Sequence, residues 1–90
     1  MRRGKPDSTQ AEIVAALRDC GCSVHVTSMV GDGYPDIAVG RQGRTYLLEL
    51  KTRVGRLSPV QRVWHGHWRG HVAVLRSVDE AMKACGVEAS

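Results

Sequence analysis

Pro35-Asp36 is followed, after twelve intervening residues, by Glu49-Leu50-Lys51. Two acids and a lysine at that spacing carry chemistry if a β-hairpin lies between them. Gln42-Gly43 is suited to a two-residue hairpin turn, because its glycine tolerates the positive φ that such turns demand. Arg41 then faces Arg44, and counting back along the ladder sets Asp36 across from Glu49. Opposed residues of an antiparallel pair have Cβ atoms about 5 Å apart, and like charges there repel. A divalent cation shared between the two carboxylates reverses the sign of that interaction. A turn offset by one residue would move Asp36 by a rung and still leave both acids within reach of one ion. Strand alternation sets Glu49 and Lys51 on one face, with Tyr46, Leu48 and Leu50 on the other, against a core.

Oxygen donors suit Mg²⁺ or Mn²⁺, which need few protein carboxylates and keep water molecules for a substrate. Such an ion lowers the pKa of a bound water and shields the charge of a phosphate. Lys51 could stabilise charge building on the phosphorus centre, or position or help deprotonate the attacking water. A compact point charge on a flexible stem suits that work. Glu-x-Lys alone is commonplace, and an exposed strand pair is its plainest reading. Its coupling to Pro-Asp at hairpin distance, in a basic setting, gives the pattern its weight.

The basic setting is uneven along the chain. From Arg41 to Arg76 the cations are Arg41, Arg44, Lys51, Arg53, Arg56, Arg62, Arg69 and Arg76, and Glu49 is the only acid. A field of that sign attracts a polyanion, nucleic acid being the commonest. Arg53, Arg56 and Arg62 flank the proposed site and would meet phosphates without reading sequence; for any one of them, solubility is the competing reading. With 90 residues and a 42% hydrophobic fraction, the chain reads as one folded domain over 1–90, small enough to gain from a partner or ligand. No apolar run approaches the roughly 20 residues of a membrane span, and no signal-peptide pattern follows the basic N-terminus. Cys20, Cys22 and Cys85 match no disulfide framework, so free thiols in a cytoplasmic setting are expected.

The positioning elements follow from periodicity and caps. Residues 1–7 read as a loose basic tail. Ser8 or Thr9 caps a helix running to about Asp19, with Thr9 and Glu12 in capping-box spacing and Ile13, Val14, Ala16 and Leu17 as its apolar stripe. Cys20-Gly21 ends it. Ser23–Met29 alternates as a strand, and Gly31-Asp32-Gly33 is a turn or irregular loop. Strands over Asp36–Gly40 and Arg44–Lys51 form the hairpin, and Thr52–Leu57 is a basic loop. Ser58-Pro59 opens a helix to about Trp68, closed by Gly70. His71–Leu75 is a further strand, and Ser77-Val78-Asp79-Glu80 opens a last helix ending near Cys85-Gly86. The order is α-β-β-β-α-β-α, an α/β fold with a mixed central sheet flanked by helices.

Three blocks of sequence resemble the PD-(D/E)XK nuclease superfamily, and within it the small stand-alone VRR-NUC group: Gly33-Tyr34-Pro35-Asp36-Ile37, Tyr46-Leu47-Leu48-Glu49-Leu50-Lys51 and Gly55-Arg56-Leu57-Ser58-Pro59-Val60-Gln61. Val72-Ala73-Val74-Leu75 and Ser77-Val78-Asp79-Glu80-Ala81 also fit, so the likeness covers nearly the whole chain. The resemblance implies a restriction-endonuclease-like fold and Mg²⁺- or Mn²⁺-dependent hydrolysis of DNA phosphodiesters. It implies Asp36, Glu49 and the Leu50 carbonyl as metal ligands, with Glu12 from the first helix joining them. It further implies a catalytic Lys51 and a supporting Gln61. Proteins of this type and size are similar to phage and bacterial homodimers acting on branched DNA such as four-way junctions. The departure from the pattern lies in the helix after Ser58, where Gly66 and the histidines dilute the apolar face.

Other residues invite plainer readings. An acid in the first helical turn, such as Glu12, is favoured by the helix dipole without any site. Gln61 shares a helix face with Trp64, His65 and Trp68, and the two tryptophans are expected in the core rather than as stacking platforms. His65, His67 and His71 with Cys20 and Cys22 match no zinc spacing. Asp32 suits its turn. Two rivals to a DNA endonuclease stay open: a non-catalytic nucleic-acid-binding module with a residual acid pair, and an RNA-directed nuclease.

Overall fold

The computed structural model describes residues 9–87. The basic tail expected over residues 1–7, and Ser8 as an alternative cap, lie outside that range. The elements are α1 (Gln10–Asp19), β1 (Ser23–Val26), β2 (Ile37–Arg41), β3 (Arg44–Leu50), α2 (Pro59–His67), β4 (Val72–Leu75) and α3 (Val78–Ala84). The order is the one that the sequence patterns imply. The strands differ from expectation at their ends: β2 begins one residue later, β3 and β4 each lose one residue, and β1 stops at Val26 instead of Met29. The Thr27 hydroxyl donates to the Pro35 carbonyl, and Val30 N bonds back to Thr27 O, turning the chain out of the sheet.

Thr9 caps α1 with the full capping box: its hydroxyl accepts from Glu12 N, and the Glu12 carboxylate accepts from Thr9 N. Gln42 and Gly43 both take positive φ, 53° and 79°, the backbone of a two-residue turn whose twist suits paired strands. Arg41 accordingly pairs with Arg44, and the antiparallel register runs back to Ile37 opposite Leu48. The sheet order is β1-β2-β3-β4, antiparallel except for the parallel β3–β4 pair. Parallel neighbours need a crossover, and α2 supplies it.

The two faces of the sheet differ in character. Ile37, Val39, Leu48 and Leu75 face α1 and α3 and form the core with Ile13, Val14, Leu17, Ala81 and Cys85. Ile13, Leu17, Ile37 and Leu48 are fully enclosed, each side chain contributing about 1.5–3 kcal/mol of burial. Cys20, Cys22 and Cys85 are free thiols, and burial pushes Cys85 up to about 11, which marks it as packing rather than reactive. On the opposite face α2 reaches the sheet at Glu49, through Gln61 and His65, and has no fully buried residue. Trp64 is half-buried and Trp68 is 41% exposed, so the tryptophans expected in the core lie outside it. They stack on each other at 4.7 Å instead, Trp64 also meeting the edge of Tyr34, while Trp68 Nε1 donates to His71 O. The reason is that one side of α2 must meet polar groups on the sheet. Among the described residues, no helix is long and apolar enough to cross a membrane.

Candidate active site

The face beneath α2 carries the residues of interest. One rung beyond the Ile37–Leu48 pair, the register brings Asp36 to Glu49, and Asp36 N donates to Leu48 O at 3.0 Å. On its other side Glu49 pairs with Val74 of β4. Flanked by strands on both sides and covered by α2, the Glu49 side chain is 1% exposed. Asp36 Oδ2 accepts from Leu50 N at 2.8 Å, which fixes that carboxylate against the end of β3. Gln61 Nε2 donates to Glu49 Oε2 at 3.0 Å, and Lys51 Nζ stands 3.8 Å from the same oxygen.

Electrostatics follow from that enclosure. The Glu49 carboxyl is pushed up to about 8, first by burial, then by its hydrogen bond with Asp36 and by the charge of Asp36, with Lys51 pulling the other way. Burial also lowers His65, with the charge of Lys51 adding to the effect. Glu49 Oε1 is buried without a hydrogen-bond partner. A buried carboxylate with one oxygen unbonded, beside a second carboxylate, is unfavourable by itself. A divalent cation between the acids offsets the desolvation, the repulsion and the unbonded oxygen together. The residues therefore fit such an ion. Among the described residues no three His, Cys, Asp or Glu side chains converge as a metal cluster. A donor set of two carboxylates matches Mg²⁺ or Mn²⁺, which retain several waters.

Asp36, Glu49, Lys51 and Gln61 are thus brought together, with the Leu50 main chain held beside Asp36. Glu12 Oε1 accepts from Thr9 N at 2.9 Å, the capping-box role that the same residue type serves at any helix start. Arg53, Arg56 and Arg62 are exposed, the first two on the loop that follows Lys51 and the third one residue beyond Gln61. Two contributors escaped the sequence patterns. His65 Nε2 lies 3.8 Å from Glu49 Oε1; its signal was the four-residue spacing from Gln61, masked by the absence of a zinc pattern. Arg76 donates through one guanidinium nitrogen to Thr52 O and Gly55 O, both at 2.7 Å, and so braces the loop carrying Arg53 and Arg56. No spacing rule announces a bond between a side chain and a distant main chain.

No family model matches the chain, and no curated protein matches it. A solved structure described as a VRR_NUC domain does match: 86% of this chain and 94% of that one superpose with a TM-score of 0.67 at 22% identity. The fold is therefore the α/β fold of a VRR_NUC domain.

Proposed function

We propose that this chain is a Mg²⁺- or Mn²⁺-dependent DNA endonuclease, selective for branched DNA such as four-way junctions and active as a homodimer. The observation carrying the proposal is the buried Glu49 carboxylate, one rung from Asp36, with one oxygen unbonded and Lys51 3.8 Å from the other. A binding surface gains nothing from two acids enclosed together under a basic exterior.

Asp36, Glu49 and the Leu50 carbonyl would hold the ion, which when bound supplies an acidified water and offsets phosphate charge. Lys51 sets an ammonium beside Glu49, where it can stabilise the charge that develops on the phosphate oxygens or orient the attacking water. Gln61 holds the Glu49 carboxylate in one orientation. Arg53, Arg56 and Arg62 would engage the DNA backbone, placing the scissile phosphate without reading bases. Two copies related by a two-fold axis would present two such sites to a symmetric junction.

Cleavage of linear duplex, flap, splayed-arm and four-way-junction DNA, with an RNA duplex alongside and Mg²⁺ or Mn²⁺ present, tests the reading. The junction should be cut fastest, the Asp36→Ala variant should cut none, and sedimentation should give a dimer. Equal cutting of all DNA forms removes the branched preference but not the enzyme class. DNA binding without cleavage, with a melting temperature indifferent to Mn²⁺, would identify a binding module instead.

A further inference from the structure

His65 lies on α2 one turn beyond Gln61, and its Nε2 stands 3.8 Å from Glu49 Oε1. Both atoms are buried and neither has a hydrogen-bond partner. The Glu49 side chain is 1% exposed and that of His65 13%, so bulk water does not satisfy them. Their separation is too wide for a hydrogen bond between them. Gln61 and Lys51 both address the other oxygen, Oε2. The Oε1 side of Glu49 thus meets an imidazole nitrogen.

A divalent cation accepts lone pairs from a carboxylate oxygen and from a neutral imidazole nitrogen alike. Two ligands of one ion stand at most about 4.2 Å apart, twice a metal–ligand bond of about 2.1 Å. The observed 3.8 Å falls within that limit. A structural histidine on a helix flank would instead donate or accept a hydrogen bond, or turn its ring edge to solvent.

Resting on the metal site argued above, we propose that His65 Nε2 is a nitrogen donor to the divalent ion held by Asp36 and Glu49, on the Oε1 side of Glu49. Glu49 Oε1 and His65 Nε2 already lie within the span of one ion; Asp36, Glu49 and His65 do not converge as a three-residue cluster without it, so the ion is what would draw the set together. A nitrogen in an otherwise oxygen donor set shifts preference toward Mn²⁺, Co²⁺ or Zn²⁺ and away from Mg²⁺. The site would then rank metals differently from one built of carboxylates alone.

Pulsed EPR of the full chain loaded with Mn²⁺ reads directly bonded nitrogen as a hyperfine coupling. The wild type should show the coupling of one imidazole, and His65→Leu and His65→Asn should lose it. Calorimetry should show Mn²⁺ affinity lowered about tenfold in both variants, with Mg²⁺ affinity changed no more than about twofold. If Asp36→Ala abolishes Mn²⁺ binding but the wild type shows no nitrogen coupling, the His65 proposal is overturned and the carboxylate site stands. If Mn²⁺ does not bind the wild type, both fall. Coupling that persists in either His65 variant also overturns the proposal, and the wild-type spectrum decides the matter should a variant fail to fold.

Discussion

Gln61 Nε2 donates to Glu49 Oε2 at 3.0 Å, while Oε1 of the same amide accepts from Ser58 N at 2.8 Å. One side chain therefore completes the N-terminal capping box of α2 and anchors that helix to the buried acid of the sheet. The parallel β3–β4 pair needs a helical crossover in any case, and this bond ties the crossover to the candidate site.

The two ends of the Gln61 amide can be separated by substitution. Gln61→Glu keeps an acceptor for Ser58 N but replaces the donor to Glu49 with a third carboxylate. Gln61→Leu removes both. Gln61→Leu should lose about 1–2 kcal/mol, the worth of a capping interaction and a buried hydrogen bond. Gln61→Glu should match wild type near pH 5, where the added acid can share a proton, and melt lower than wild type near pH 9. Urea unfolding at the two pH values without metal checks both. Equal losses at both pH values for Gln61→Glu would show that the bond to Glu49 contributes nothing.

Glu49 itself should set a pH dependence of stability in the absence of metal. Its carboxyl lies at about 8 in the folded chain against an ordinary 4.5. Between those values the folded state keeps a proton that the unfolded state has released. Stability therefore falls as pH rises through that window and is level on either side of it. Glu49→Gln removes the slope contributed by this group. Asp36→Asn should reduce the slope without abolishing it, since burial, the largest cause, remains. The check is the difference in metal-free melting temperature between wild type and Glu49→Gln from pH 4 to pH 9. A constant difference would contradict the raised pKa. Because bound metal displaces the proton, the rise in melting temperature on adding Mn²⁺ should grow toward pH 8.

Much of this was legible in the sequence because local rules agreed with one another. Alternation in Arg44–Leu50, the turn at Gln42-Gly43 and the Ser58-Pro59 start together fix where Asp36, Glu49 and Gln61 stand. The hairpin arithmetic was robust because a two-residue turn leaves no freedom in register. What the sequence concealed has a physical reason in each case. Trp64 and Trp68 look like core at helical spacing, yet they stack on each other, Trp64 against the edge of Tyr34 and Trp68 donating to His71 O, rather than on an apolar layer. Arg76 resembles any other basic residue until its guanidinium is seen against the Thr52 and Gly55 carbonyls.

Arg76 should prove structural where Arg53 and Arg56 prove electrostatic. Arg76→Met retains the apolar stem and removes the donors. The expected cost is about 1–3 kcal/mol, in line with hydrogen bonds made by a charged group. Amide exchange at Gly55, whose N–H bonds to Thr52 O, should speed up. Arg53→Ala or Arg56→Ala should leave stability nearly unchanged and weaken DNA binding in a salt-dependent way, each reducing the salt slope by about one. Arg76→Met behaving like these two would show that the loop needs no brace.

Gly33 separates the site's geometry from its chemistry. Its φ is +86°, and a Cβ built there would come 2.5 Å from Val60 O in the first turn of α2. Gly31, two residues earlier, has a similar φ of +83° but nothing within 4 Å of its Cβ position. Gly31→Ala should therefore lose only the cost of a left-handed alanine, about 1–2 kcal/mol. Gly33→Ala adds a collision with backbone, which cannot swing aside as a side chain can. The α2 start must move, carrying Gln61 and His65 with it. Besides the larger stability loss, Gly33→Ala should weaken Mn²⁺ binding, whereas Gly31→Ala should leave it unchanged. Equal metal affinities in the two variants would show that the carboxylate pair holds its ion without help from the helix above it.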